Sequence, residues 1–90
     1  MLSPRYTPQA RATLTAMDYP LLPLLQSVID ELLVTDGRTP ATDPIPLGFP
    51  LREAIVQHPF EPAERWRMVF CTYPDLGLLK ISVIERAPIF

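Results

Sequence analysis

Four basic side chains, Arg65, Arg67, Lys80 and Arg86, lie inside or at the ends of the two apolar runs of ERWRMVFCTYPDLGLLKISVIER, residues 64–86. Guanidinium and ammonium groups grouped in this way hold phosphate or carboxylate oxygens through charge-assisted hydrogen bonds. Whether they act together depends on the hairpin that carries them. PDLG is a turn signal. Taken as a four-residue loop, it sets Tyr73 opposite Leu78, Phe70 opposite Ile81, Met68 opposite Val83 and Trp66 opposite Glu85. One face then carries Trp66, Met68 and Phe70 and packs on helices. The other displays Arg65, Arg67, Lys80, Ser82 and Arg86 together, with Arg65 opposite Arg86. A slip by one residue would mix the two sets and bury charge. Like charges on directly opposite residues, with Cβ atoms about 4.5–5.5 Å apart, repel. Such a face calls for an anion or a carboxylate between its arginines.

Other chemistry is scarce. Cys71 and His58 are the single cysteine and the single histidine. One cysteine makes no disulfide within the chain, and so few soft or imidazole ligands do not build a zinc site. No metal and no cofactor is expected. Cys71 sits in mid-strand, where a small buried hydrophobe is the ordinary role. His58, ahead of Pro59 in the loop HPFEPA, reads as a loop residue. Arg65 with Glu64 or Glu85 reads as a surface ion pair.

The elements that position these residues follow from periodicity. In SPRYT (3–7), a short strand carries Pro4, which restricts it to an edge or to the strand's first residue. Thr7-Pro8 is an N-cap followed by proline at the first helical position, and Ala10, Leu14 and Met17 recur at helical spacing. A first helix is predicted from about Pro8 to Asp18, ended by Tyr19-Pro20. In LLPLLQSVIDELLVTD (21–36), Leu21, Leu25, Val28, Ile29, Leu32 and Leu33 form a wide apolar stripe. Pro23 is tolerated only in the first turn, and Gly37 stands where a C-terminal cap is expected. The short link favours an antiparallel helix pair. RTPATDPIPLGFP (38–50) reads as a proline-rich loop and LREAIVQ (51–57) as a strand.

Ninety residues, 48% of them apolar, are enough for one domain, residues 1–90, with a modest core. No apolar run approaches the ~20 residues of a membrane span, and MLSPRYTPQA has no apolar stretch of the signal-peptide kind. A cytoplasmic location and no membrane partner are expected. The formal net charge of −2 lacks the strongly basic footprint of a dedicated nucleic-acid binder, so a basic patch has to come from geometry.

The order of short strand, two helices and antiparallel sheet ending in WRMVF…ISVIER resembles the RelE/ParE superfamily of small bacterial toxins. TPQARATL looks like its opening helix, LREAIV like the strand before its arginine-aromatic strand, RWRMVF like that strand, and ISVIERAPIF like its terminal strand. The resemblance implies an α+β fold: a short N-terminal strand and two antiparallel helices packed on a three- to four-stranded, mainly antiparallel sheet. It implies the toxin of a type II toxin–antitoxin pair, of the plasmid-stabilization kind, with a cognate antitoxin as partner. The target would be messenger RNA on the ribosome or gyrase. An active ribonuclease member would be a metal-independent endoribonuclease, an mRNA interferase, with Arg67 and Arg86 as catalytic residues. Arg65, Lys80, Ser82 and Arg52 would bind substrate. Ribonuclease members add lysines in the preceding strand and a terminal tyrosine; here that strand offers Arg52, Ala54 and Val56, and the chain ends in Phe90. These departures motivate the alternative, a non-catalytic interaction module or decayed toxin, or one half of a homodimer.

Overall fold

Thr7 is where the chain turns from strand to helix. Its backbone is extended, its hydroxyl accepts from the Ala10 N–H, and Pro8 supplies the preset first helical residue. The computed structural model describes residues 1–35, 45–48 and 51–87. Among these, strand β1 (Ser3–Tyr6) leads into helix α1 (Pro8–Thr15) and then α2 (Leu21–Val34). Strands β2 (Ile45–Gly48), β3 (Leu51–Gln57), β4 (Arg65–Tyr73) and β5 (Leu78–Arg86) follow. The cap expected at Gly37, most of the proline-rich segment and Phe90 lie outside the described residues.

The strands form one sheet in the order β1-β5-β4-β3-β2. Only β1 pairs in parallel, with β5; the other pairings are antiparallel. The sheet is mainly antiparallel, as expected, but has five strands among the described residues rather than three or four. The extra one is β2, within the segment read as a loop. Pro4 and Pro46 fall on the two edge strands, where a missing N–H costs no ladder bond on the solvent side.

Helix α1 stops at Thr15, short of the expected Asp18. Ala16 caps it by donating to Ala12 and Leu14 carbonyls, and the Thr15 hydroxyl turns back to the Arg11 carbonyl at 2.8 Å. Helix α2 starts at Leu21 with Pro23 in its first turn. Its stripe of Leu21, Leu25, Val28, Ile29 and Leu32 is buried against Ala54, Val56, Met68, Phe70, Leu79, Ile81 and Ile84 of the sheet. Each such aliphatic side chain contributes about 1.5–3 kcal/mol on burial, which makes this contact the main source of stability. No helix among the described residues is long and apolar enough to cross a membrane.

The hairpin departs from its expected register half-way along. Around the turn it is as anticipated: Tyr73 lies opposite Leu78, Cys71 opposite Lys80 and Phe70 opposite Ile81. Pro74–Leu76 form a single 3-10 turn closed by Gly77 at φ 64°. The register then shifts by one residue, so that Val69 faces Val83, Met68 faces Ile84, Arg67 faces Glu85 and Trp66 faces Arg86. Ser82 is the additional residue of a bulge. The uninterrupted register would have put Glu85 on the helix-packed face. The bulge moves that carboxylate to the other side and buries Ile84, fully enclosed, in place of Val83.

Helix α1 holds the bulge in place. Beyond the end of β1, the Thr7 N–H donates to the Ile81 carbonyl at 3.1 Å, and the Thr7 hydroxyl to the Ser82 carbonyl at 2.6 Å. The Gln9 amide donates to the Ile84 carbonyl at 3.0 Å and accepts the Ile84 N–H at 3.2 Å. Two side chains thereby continue the ladder where no strand remains to pair with β5, which leaves less bare edge for another chain.

Candidate functional site

Parity along the strands decides which basic groups can act together. Met68 and Phe70 face the helices, so Arg65 and Arg67 face away from them. Lys80 lies opposite Cys71 and shares that far face. Arg86 lies opposite Trp66, which packs against the core, and so belongs to the helix-packed face. Arg52 lies opposite Phe70 and alternates with buried Ala54 and Val56, again on the helix side. Ser82 is the bulge residue. Arg65, Arg67 and Lys80 therefore share one face, with Lys80 opposite a position four residues along β4 from Arg67. Arg86 is not with them, because the bulge reverses the alternation of β5 before residue 83. The expected pairing of Arg65 with Arg86 is replaced by Gln57 opposite Arg65 and Trp66 opposite Arg86.

On the far face, Arg67 is held by two carboxylates. Its terminal nitrogen is 3.2 Å from Glu53 on β3, and its Nε is 3.0 Å from Glu85 on β5. Nε is buried and lies off the line of a well-formed hydrogen bond, so the Glu85 contact is chiefly electrostatic. The carboxylate that the clustered charges call for is thus supplied by the chain itself. Around this group Val69 and Cys71 are buried, and interaction with the neighbouring Cys71 side chain holds the Tyr73 hydroxyl above its ordinary pKa. Lys80 is exposed and makes no ion pair among the described residues.

On the helix side, Arg86 pairs with Glu64, the residue just before β4. That bond is the leading reason the Glu64 carboxyl titrates below its ordinary value. His58 joins them. Its Nδ1 accepts the N–H groups of both Phe60 and Glu61 at 3.0 Å, which leaves the proton on Nε2, 3.4 Å from Glu64. With Nδ1 occupied by two donors and Nε2 carrying the proton, His58 serves as a donor and not as a base. Gln57 closes the same loop by donating to the Glu61 and Glu64 carbonyls, each at 3.0 Å. By sequence His58 reads as a loop residue and Arg65 as an ion-pair partner of Glu64 or Glu85; in the structure Glu64 pairs with Arg86 and Glu85 with Arg67. The spacing H-P-F-E-P-A-E, with two rigid prolines, was the available signal that residues 58 and 64 meet.

Beside this cluster a cleft of about 560 Å³ opens between the end of α1, the α1–α2 link and the start of β4, with Trp66 in its wall. Among the described residues no three His, Cys, Asp or Glu side chains gather as a metal site.

Comparison of the whole structure with solved ones decides the fold. A chain of the crystal structure of the intact E. coli RelBE toxin–antitoxin complex superposes with a TM-score of 0.74, over 99% of this chain and 100% of that one, at 12% identity. The fold is RelE-like. No protein-family model and no curated protein matches the sequence. Within this RelE-like fold, Arg67 and Arg86 lie on opposite sides of the sheet, Arg67 matched by Glu53 and Glu85 and Arg86 by Glu64.

Proposed function

We propose that the chain is the toxin component of a toxin–antitoxin pair, and that it acts by holding a protein target and not by cutting RNA. The whole-chain likeness to a chain of the RelBE complex supports the first half. The second rests on one observation: Arg67 is gripped by Glu53 and Glu85, while Arg86 is committed to Glu64 across the sheet. Stabilising a pentavalent phosphorane needs cations aimed together at the developing charge. A cation already matched by two carboxylates gives little net attraction to a phosphate, and those carboxylates, Glu53 and Glu85, are themselves engaged with Arg67. A largely neutralised, partly apolar sheet face instead suits a protein surface, with gyrase the target class that the family resemblance suggests.

Inducing the chain in bacterial cells without a partner tests both halves. The expected result is growth arrest, rescued by a co-expressed antitoxin, with intact messenger RNA by primer extension. Unimpaired growth overturns the toxin reading. Ribosome-dependent cleavage that is abolished by Arg67→Ala overturns the non-cleaving one. Messenger-RNA cleavage is itself the second reading, and it is favoured by Arg65, Arg67 and Lys80 sharing one face.

A further inference from the structure

The loop between β3 and β4 closes on the ring of His58. Nδ1 accepts the N–H groups of Phe60 and Glu61, each at 3.0 Å. This is the geometry of an Asx turn, with an imidazole nitrogen in place of the side-chain carbonyl. Main chain ties the base of the loop: the His58 N–H donates to the Glu64 carbonyl and the Glu64 N–H to the Glu61 carbonyl, both at 3.0 Å. The His58 side chain is only 12% exposed. A neutral ring fits these contacts, because one nitrogen accepts and the other donates. An imidazolium does not. Both its nitrogens donate, and the proton on Nδ1 points at two main-chain N–H groups.

The charged neighbours act in opposing directions on the ring. Glu64, with an oxygen 3.4 Å from Nε2, favours the imidazolium. Arg86 is bound to the same carboxylate and offsets that pull. Glu61 in the loop itself, and Asp18 and Tyr19 across the cleft, are exposed and screened by solvent. Nε2 already aims its proton at Glu64 in the neutral ring, so protonation adds charge there but no new hydrogen bond. On the other side of the ring two hydrogen bonds are lost and donor is set against donor. The second effect is the larger.

We infer that His58 is a pH-sensitive latch on the β3–β4 loop. The neutral ring holds residues 58–64 closed. Uptake of a proton from solvent at Nδ1 frees the Phe60 and Glu61 N–H groups and opens the loop. Opening moves Phe60, already 72% exposed, and loosens the cleft wall formed by His58 and Glu64. The latch is intact above the ordinary histidine range and is lost as pH falls through it. It does not rest on the toxin reading.

His58 is the single histidine, so its imidazole signals are unambiguous in NMR spectra of the intact, untagged protein. The readout is hydrogen-exchange protection of the Phe60 and Glu61 amides, corrected for the intrinsic pH dependence of exchange. Between about pH 7.5 and about pH 5.5, protection should fall about five- to tenfold, in step with the imidazole titration. Tenfold is the limit for a loop that closes only on the neutral ring and, once open, leaves it an ordinary value of about 6.5. His58→Asn sets a carbonyl oxygen where Nδ1 stands and takes up no proton, so it should stay protected at both pH values. His58→Ala removes the acceptor and should be unprotected at both. Protection that stays level while the imidazole titrates, or that falls equally in His58→Asn, would overturn the latch. So would a His58→Asn variant unprotected throughout, or a His58→Ala variant protected like wild type.

Discussion

Gln9 carries a testable share of the fold. Its side-chain amide makes two hydrogen bonds with the main chain of Ile84, as donor at 3.0 Å and as acceptor at 3.2 Å. Gln9→Ala removes both and leaves one N–H and one C=O of β5 without their partners. A typical intramolecular hydrogen bond contributes about 0.5–1.5 kcal/mol net, and an unmade buried one costs more. Two part-buried bonds therefore predict a loss of about 1–2.5 kcal/mol. A second substitution separates the hydrogen bonds from the packing. Gln9→Glu keeps the shape and can still accept from the Ile84 N–H, but its second oxygen faces the Ile84 carbonyl. That oxygen repels the carbonyl when ionised and donates to it when protonated. The folded state thus prefers the protonated glutamic acid, and the variant should recover stability relative to wild type at matched pH as the pH falls below about 5. Urea unfolding followed by Trp66 fluorescence gives the free energies, with an unchanged m-value as evidence that the native state is intact. A loss under about 0.3 kcal/mol for Gln9→Ala, or no pH-dependent recovery for Gln9→Glu, would refute the claim that this amide completes the sheet.

Leu32→Ala, at a fully enclosed position under the sheet, should cost about 2–5 kcal/mol by denaturant unfolding. Gly77→Ala should cost about 1 kcal/mol: φ is +64°, and a Cβ there meets nothing within 4 Å, so the penalty is conformational and not steric. Glu64 has a folded pKa below its ordinary value of 4.5, chiefly through Arg86. Its contribution to stability is therefore fully present above the unfolded value and is lost as pH falls through the lower folded one. Melting curves at about pH 6 and about pH 3 should differ less in Glu64→Gln than in wild type, and an equal or larger difference counts against the Arg86–Glu64 clasp.

Much of this arrangement was legible in the residues. LREAIVQ and LLKISVIER each fold as one strand with the bounds that alternation suggests, because β-branched residues and turn chemistry agree there. The register beside PDLG followed from the loop length. The bulge did not, and the reason is specific. Val83 and Ile84 are both apolar, so either can fill the core and the alternation pattern is silent about which one does. What selects Ile84 is a pair of hydrogen bonds from Gln9, 75 residues away in sequence, together with the cost of turning Glu85 toward the helices. The same ambiguity misassigned Arg86 and hid its pairing with Glu64. Strand β2 was missed because prolines veto a central strand but not an edge one. Arg65, Arg67 and Lys80 lie on the face that alternation assigns them, whereas Arg86, past the bulge, and Arg52 on β3 lie on the helix side.

One inserted residue thus acts as a parity operator on everything after it. Removing a single codon at position 82 would return residues 83–86 to the opposite orientation, carrying Arg86 over to stand with Arg67 and turning Glu85 inward. The price of that exchange is a carboxylate against the hydrophobic layer and an amide on the first helix with no main chain to clasp. In a sheet of this kind, relocating a charged group from one surface to the other requires no new side chain, only a change in count.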